Sequence, residues 1–95
     1  MELTLGKLVS TAMVAELAAE NHGFSYHVWL SLIRYLNRDW GDLCDEDKDL
    51  NRIALDPNGG RIFAAYEHPD HEEWRIWIIT EADRSVTTVL FPSEY

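Results

Sequence analysis

The stretch Arg75-Ile-Trp-Ile-Ile-Thr-Glu-Ala-Asp-Arg84-Ser-Val-Thr-Thr-Val-Leu-Phe91 holds two runs rich in β-branched and aromatic residues, joined by a compact polar segment. Such residues fit a pleated, half-buried surface, and the connection from Glu81 to Ser85 is short enough for a hairpin. Along the first strand Trp74, Ile76, Ile78 and Thr80 share one face, and Arg75, Trp77 and Ile79 share the other. Apolar side chains therefore lie on both sides. One face is expected to pack on helices, and the other to be partly covered or to meet a partner. A further β-rich run, residues 61–67, precedes this pair across the polar stretch His68 to Glu73, giving a meander over 61–67, 74–80 and 86–91.

Upstream the period changes from two to that of a helix. Ser10 or Thr11 caps a helix through residues 12–20, and Asn21-His22-Gly23 supplies residues tolerant of a left-handed ending. A second helix is expected from about Ser25 to Asn37, with Phe24, Val28, Leu32 and Leu36 recurring every four residues and Trp29 and Ile33 widening the same inward stripe. Asp45 reads as the N-cap of a third helix over 46–55, whose acidic first turn complements the helix dipole and whose inward face is Leu50, Ile53 and Ala54. Pro57 with Gly59 and Gly60 closes the helical half. Glu2 to Leu5 alternates polar and apolar side chains and ends at Gly6, a short strand. The expectation is a single α+β domain over residues 1–95. Two to three N-terminal helices lie on one face of a C-terminal antiparallel sheet of three strands, or four with an N-terminal strand.

Ninety-five residues with 46% apolar content supply one core, and the single cysteine, Cys44, has no partner within the chain. Cys44 is expected to be a buried or half-buried thiol in a reducing compartment. No apolar run reaches the length of a membrane span, and the opening Met-Glu-Leu-Thr-Leu lacks the layout of a secretory signal, so the reading is a cytoplasmic protein without membrane contact. The net charge of −9, from 17 acidic against 8 basic residues, repels phosphate backbones and disfavours direct nucleic-acid binding. The same field favours a protein partner with a basic surface.

Three clusters could carry chemistry. Asp39, Asp42, Asp45, Glu46 and Asp49 form an acidic segment that can occupy a basic groove on a partner, and Trp40 among them reads as an aromatic anchor of the link between helices, with exposure for partner binding as the alternative. At the polar turn, Glu81 or Asp83 as a general base beside Arg84 as an anion clamp would suit a small hydrolase or nuclease-like enzyme, with Arg75, Thr80 and Thr88 nearby. The competing reading has Asp83 capping the turn and Arg84 pairing with a neighbouring acid. His68, Asp70 and His71 are weak candidates for a metal, because their spacing is not a zinc pattern and Pro69 restricts the loop. No phosphate-binding glycine loop or nucleophile elbow occurs, and no cofactor is expected.

Asp39-Trp40-Gly41-Asp42-Leu43, then Glu46-Asp47-Lys48 and Asn51, Gly60-Arg61, residues 77–85, Thr87-Thr88 and Pro92-Ser93-Glu94-Tyr95, together with Leu3-Thr4-Leu5-Gly6, resemble a family. It is that of small plasmid-related proteins carried by bacterial plasmids and integrated elements. Arg38 stands where such proteins are expected to have glycine. What the resemblance implies is context, since accessory genes of mobile elements serve maintenance, counter-defence or toxin and antitoxin roles. The leading expectation is a non-enzymatic interaction protein that uses its acidic helical side or its aromatic sheet face to engage a nucleic-acid-handling host or defence protein. A homo-oligomer built through a strand edge or the Trp77 face is a third reading.

Overall fold

The computed structural model describes residues 4–55 and 59–95. Within them run β1 (Lys7–Ser10), α1 (Ala12–Glu20), α2 (His22–Leu36), α3 (Asp45–Ala54), β2 (Ile62–His68), β3 (His71–Thr80) and β4 (Val86–Leu90), followed by a 3-10 turn, Pro92–Glu94. The sheet order is β1-β4-β3-β2, in which β2, β3 and β4 form the antiparallel meander and β1 joins β4 in parallel. This is the expected α+β architecture, with the N-terminal strand as its fourth member. No helix of the described residues is long and apolar enough to cross a membrane.

The N-terminal strand lies later than its alternation suggested. Glu2 and Leu3 fall outside the described residues, as does the turn expected at residues 56–58, and Thr4 and Leu5 precede the strand. Gly6, at φ +61°, turns the chain against the backbone of Arg84 and Ser85, where a Cβ would lie 2.3 Å from the Arg84 carbonyl oxygen. Only after that turn does Lys7 N donate to Ser85 O, and Leu5 packs on the core instead.

Thr11 caps α1, its hydroxyl accepting from Val14 N. Asn21 does not take a left-handed ending: at φ −132° it closes α1 in extended geometry and at once caps α2, accepting from Phe24 N at 3.1 Å. Helix α2 consequently starts at His22, three residues earlier than expected. Its buried face is Phe24, His27, Ser31 and Tyr35, flanked by Val28 and Leu32, whereas Trp29, Ile33 and Leu36 point outward. The inward stripe expected from four-residue recurrence is thus only partly right. A helix that is apolar on every side offers no period by which to tell its faces apart, and here polar contacts choose.

Those contacts form a buried relay. Thr87 Oγ1 donates to Leu5 O at 2.7 Å, which uses its one hydrogen. The 2.8 Å contact between Thr80 and Thr87 must then be donated by Thr80, and the 2.7 Å contact between Tyr35 and Thr80 by Tyr35. Thr80 and Thr87 are fully buried, and burial pushes the Tyr35 phenol up to about 12. Around the relay, Ile62, Ala64 and Tyr66 of β2, Trp74, Ile76 and Ile78 of β3, and Val89 of β4 meet Phe24 and Val14. The ring of Phe24 stacks on Phe91 at 5.6 Å and meets Trp74 edge-on at 5.8 Å.

Strand β2 is a sheet edge, and five of its outward backbone groups are met. Asn51 of α3 donates to Phe63 O at 2.6 Å and accepts from Phe63 N at 3.1 Å, so one side chain replaces a neighbouring strand. Asp42 N donates to Ala65 O at 2.7 Å, Ala65 N donates to Trp40 O at 3.4 Å, and Glu67 N donates to the Asp42 carboxylate at 2.8 Å. Gly41 bridges Ala65 at φ +73°, where a Cβ would sit 2.1 Å from Ala65 O, so only glycine admits the approach. This edge cover turns α3 away from the expected orientation, in which Ala54 alone of the three inward residues holds its place. Asn51 and Ala54 face in, and Leu50 and Ile53, expected to face in, are 62% and 67% exposed.

Replacing Asn51 by leucine leaves the Phe63 N–H and C=O unpaired. The expected cost is about 2–4 kcal/mol in urea unfolding, whereas a loss below about 0.5 kcal/mol would show that the edge is held without it. A second outcome concerns His27, 7% exposed, whose Nε2 finds no hydrogen-bond partner among the described residues. Burial, reinforced by the neighbouring His68, lowers its pKa below the ordinary 6.5. The unfolded chain then binds more protons between the folded pKa and 6.5, so this stability is present above that window and lost as pH falls through it. Melting temperature should drop between pH 7.5 and pH 5, and His27→Phe should lessen the drop.

Candidate functional site

The acidic segment divides into two parts with different work. After α2 the chain turns through Arg38, whose φ of +61° is left-handed and strained for a side chain with a Cβ. Asp39 then accepts from Arg34 Nε at 2.7 Å and NH2 at 3.2 Å, and from Gly41 N at 3.0 Å. The Arg34 guanidinium holds the Asp39 carboxyl below the usual carboxylate range. Tyr66 OH donates to Asp39 O at 2.6 Å, and Trp40, 5% exposed, meets Tyr35 edge-on at 5.4 Å. Trp40, one of the residues expected at a partner surface, is buried as the anchor reading has it, while Asp39 and Asp42, expected beside it, stay exposed. Trp40 is in the core, and the two aspartates pin the loop that seals β2.

Asp45, Glu46 and Asp49 are exposed on α3, the side the sequence favoured. Cys44, not Asp45, occupies the N-cap position, and its thiol is exposed where a buried or half-buried one was expected. Asp45, Glu46 and Asp47 fill the first turn, where their charge opposes the helix dipole. Positions 46, 49, 50 and 53 are one turn apart and share the outward face. Glu46 and Asp49 therefore flank Leu50 and Ile53, while Asp49 also pairs with Arg52. Two protruding aliphatic side chains set among carboxylates make a convex, acidic and apolar ridge.

The polar turn is structural in every described contact. Arg84, at φ +62°, donates through NH1 to Gly60 O at 2.8 Å, Glu81 O at 3.1 Å and Ala82 O at 3.2 Å, and through NH2 to Ala54 O. It ties the end of α3 to the hairpin. Glu81 pairs with Arg61 at 3.2 Å rather than with Arg84. Asp83 accepts from Ser85 N at 2.9 Å, and the Ser85 contacts hold its carboxyl below the usual range, which makes it a poorer base. Thr80 is buried in the hydroxyl relay, and Arg75 reaches across to Glu67 at 3.3 Å. The structure does not bring Arg75, Thr80, Glu81, Asp83, Arg84 and Thr88 to one pocket, because Thr80 is buried while Arg75, Glu81, Asp83 and Arg84 are each committed to different partners.

The hairpin at Pro69 and Asp70 is tighter than expected, since β2 reaches His68 and β3 begins at His71. His68 Nδ1 accepts from Asp70 N at 3.1 Å, His71 stacks on Trp74 at 3.8 Å, and His71 Nδ1 lies 3.2 Å from the Glu73 carboxylate. Among the described residues no three ligand-type side chains converge on a point, so His68, Asp70 and His71 form no metal set. On the outer sheet face, Tyr95 lies edge-on over Trp77 at 5.5 Å and Arg61 donates to its hydroxyl at 3.0 Å. The C-terminal residues are thus no free tail. They cover part of the aromatic face and leave a 240 Å³ pocket beside Phe63 and Trp77. Glu94 anchors this end by accepting from Thr11 Oγ1 at 2.8 Å and Phe91 N at 2.9 Å.

Leu50 and Ile53 as outward groups escaped the sequence reading, because an aliphatic at helical spacing is ordinarily core. The signal available was Asn51, a polar residue on the side opposite those two. Arg38→Gly removes a left-handed residue at the loop that seals β2, and the release of strain exceeds the entropy of the added glycine. The expected gain is about 0.5–1 kcal/mol, read as a rise in melting temperature of a few degrees, and a fall would contradict the strained assignment. In comparisons with known proteins, no family model, no curated protein and no solved structure matches this chain.

Proposed function

We propose that the chain is a small acidic docking protein whose α3 face engages a protein partner with a basic surface. The observation that carries this reading is the pair Leu50 and Ile53, 62% and 67% exposed, between Glu46 and Asp49 on a helix fixed to the sheet edge by Asn51. Carboxylates steer a basic partner and set register, but exposed charge pairs contribute little affinity alone. Apolar side chains that enter a pocket supply it, and a ridge with both is suited to a groove lined by Lys and Arg with an apolar floor. Such grooves hold nucleic acid, so the partner class is a nucleic-acid-handling protein. Occupation of its groove modulates or inhibits it.

The net charge of −9 supports this over direct nucleic-acid binding, and the likeness to plasmid-related proteins supports a setting in the bacterial cytoplasm as an accessory of a mobile element. The test is capture of a partner from the source organism, followed by titration with the purified partner. Leu50→Ala with Ile53→Ala should weaken binding at least 30-fold, while Asp45→Asn, Glu46→Gln and Asp49→Asn together should slow association and flatten its salt dependence. A complex indifferent to both sets, or a partner that binds nucleic acid equally well when saturated with this protein, would overturn the proposal.

A further inference from the structure

The outward face of α2 carries Tyr26 at 61% exposure, Trp29 at 56%, Leu30 at 41%, Ile33 at 39% and Leu36 at 46%. Tyr26 and Trp29 stack on each other at 5.8 Å, which joins them into one aromatic surface at this end of the stripe. Spacings of three, four, seven and ten residues from Tyr26 put all five on one side, a seam about 15 Å long. The helix is therefore apolar on both faces, and only the face bearing Phe24, His27, Ser31 and Tyr35 is covered. We propose that a second copy of this chain covers the other, through antiparallel packing of α2 on α2 about a two-fold axis near Leu30 and Ile33.

Charge identifies the occupant. The chain carries 17 acidic residues, yet none of the fifteen in α2 is Asp or Glu. Two molecules each at −9 repel, and α2 is the helix along which they meet without placing carboxylates in contact. A basic partner would gain nothing from this face, since no acid there could pair with it. A two-fold seam also matches the stripe to itself, placing Tyr26 of one copy against the Leu36 end of the other. The five side chains expose on the order of 400–500 Å² per protomer, rather more than half of one side of a standard interface. A patch of this size suits a reversible dimer rather than an obligate one. This surface is separate from the α3 ridge, so one molecule can use both.

Sedimentation velocity across about 1–200 µM protein reads the equilibrium. The expected result is a monomer–dimer transition that tightens when salt rises from about 0.1 to 0.5 M, because screening removes the repulsion between acidic copies. That sign is opposite to the one expected for the α3 complex, so failure of one does not imply failure of the other. Trp29→Glu with Ile33→Glu should abolish the dimer at every concentration, and the milder Trp29→Gln should weaken it about 10-fold, with circular dichroism confirming the fold. A protein that stays monomeric throughout overturns the proposal. So does a dimer that survives Trp29→Glu with Ile33→Glu, as pairing through the Trp77 face or the β1 edge would, or one lost in Leu50→Ala with Ile53→Ala.

Discussion

The placement of α3 and of the loop before it depends on how the edge of β2 is closed. An edge strand presents alternate N–H and C=O groups that must be paired or solvated, and an open one invites another chain. Here Phe63 is met by the Asn51 amide, Ala65 by the backbone of Trp40 and Asp42, and Glu67 by the Asp42 carboxylate. No fourth antiparallel strand is needed. A loop and one side chain take its place, and their geometry fixes where α3 lies and which way it faces.

The consequences run outward from that constraint. Because Asn51 must reach Phe63, the positions on the opposite side of α3, Leu50 and Ile53 among them, are pushed into solvent. The left-handed Arg38, the Arg34–Asp39 pair and the buried Trp40 all deliver Gly41 to within bridging distance of Ala65. Arg84 gathers carbonyls from Ala54, Gly60 and its own turn, so the C-terminal end of α3 is held by a second set of contacts. Residues that looked like catalytic or partner-binding groups are in large part the fasteners of this edge. The surfaces left over, the α3 ridge and the outer face of α2, differ sharply in charge, which is why they suit different occupants.

The three strands of the meander were legible through their period of two, and the faces of β3, with Trp74, Ile76 and Ile78 inward, are as alternation predicts, whereas the short alternation at Glu2 to Leu5 misplaced β1. The helices were legible as helices but not in their orientation. In α2 apolar residues surround the axis, so periodicity had no contrast to work with, and the choice fell to Tyr35, whose hydroxyl needs Thr80. In α3 the two large aliphatics, Leu50 and Ile53, face outward and the asparagine inward beside Ala54, against the ordinary rule, because pairing a strand edge outweighs hiding two aliphatics. Asp39 and Asp42 resemble Asp45 and Asp49 in sequence. Only the backbone donors placed beside the first pair, and absent from the second among the described contacts, separate a fastener from a surface charge. The Arg84 fork was half legible, since its turn was foreseen and its reach to Ala54 was not.

Amide hydrogen exchange at Phe63, Ala65 and Glu67 tests the central claim most directly, because these three N–H groups point away from the rest of the sheet. If the edge is closed as described, they exchange as slowly as those of Ile62, Ala64 and Tyr66, which bond to β3. Exchange at the rate of an open edge, while Ile62, Ala64 and Tyr66 stay protected, would contradict it and with it the placement of α3.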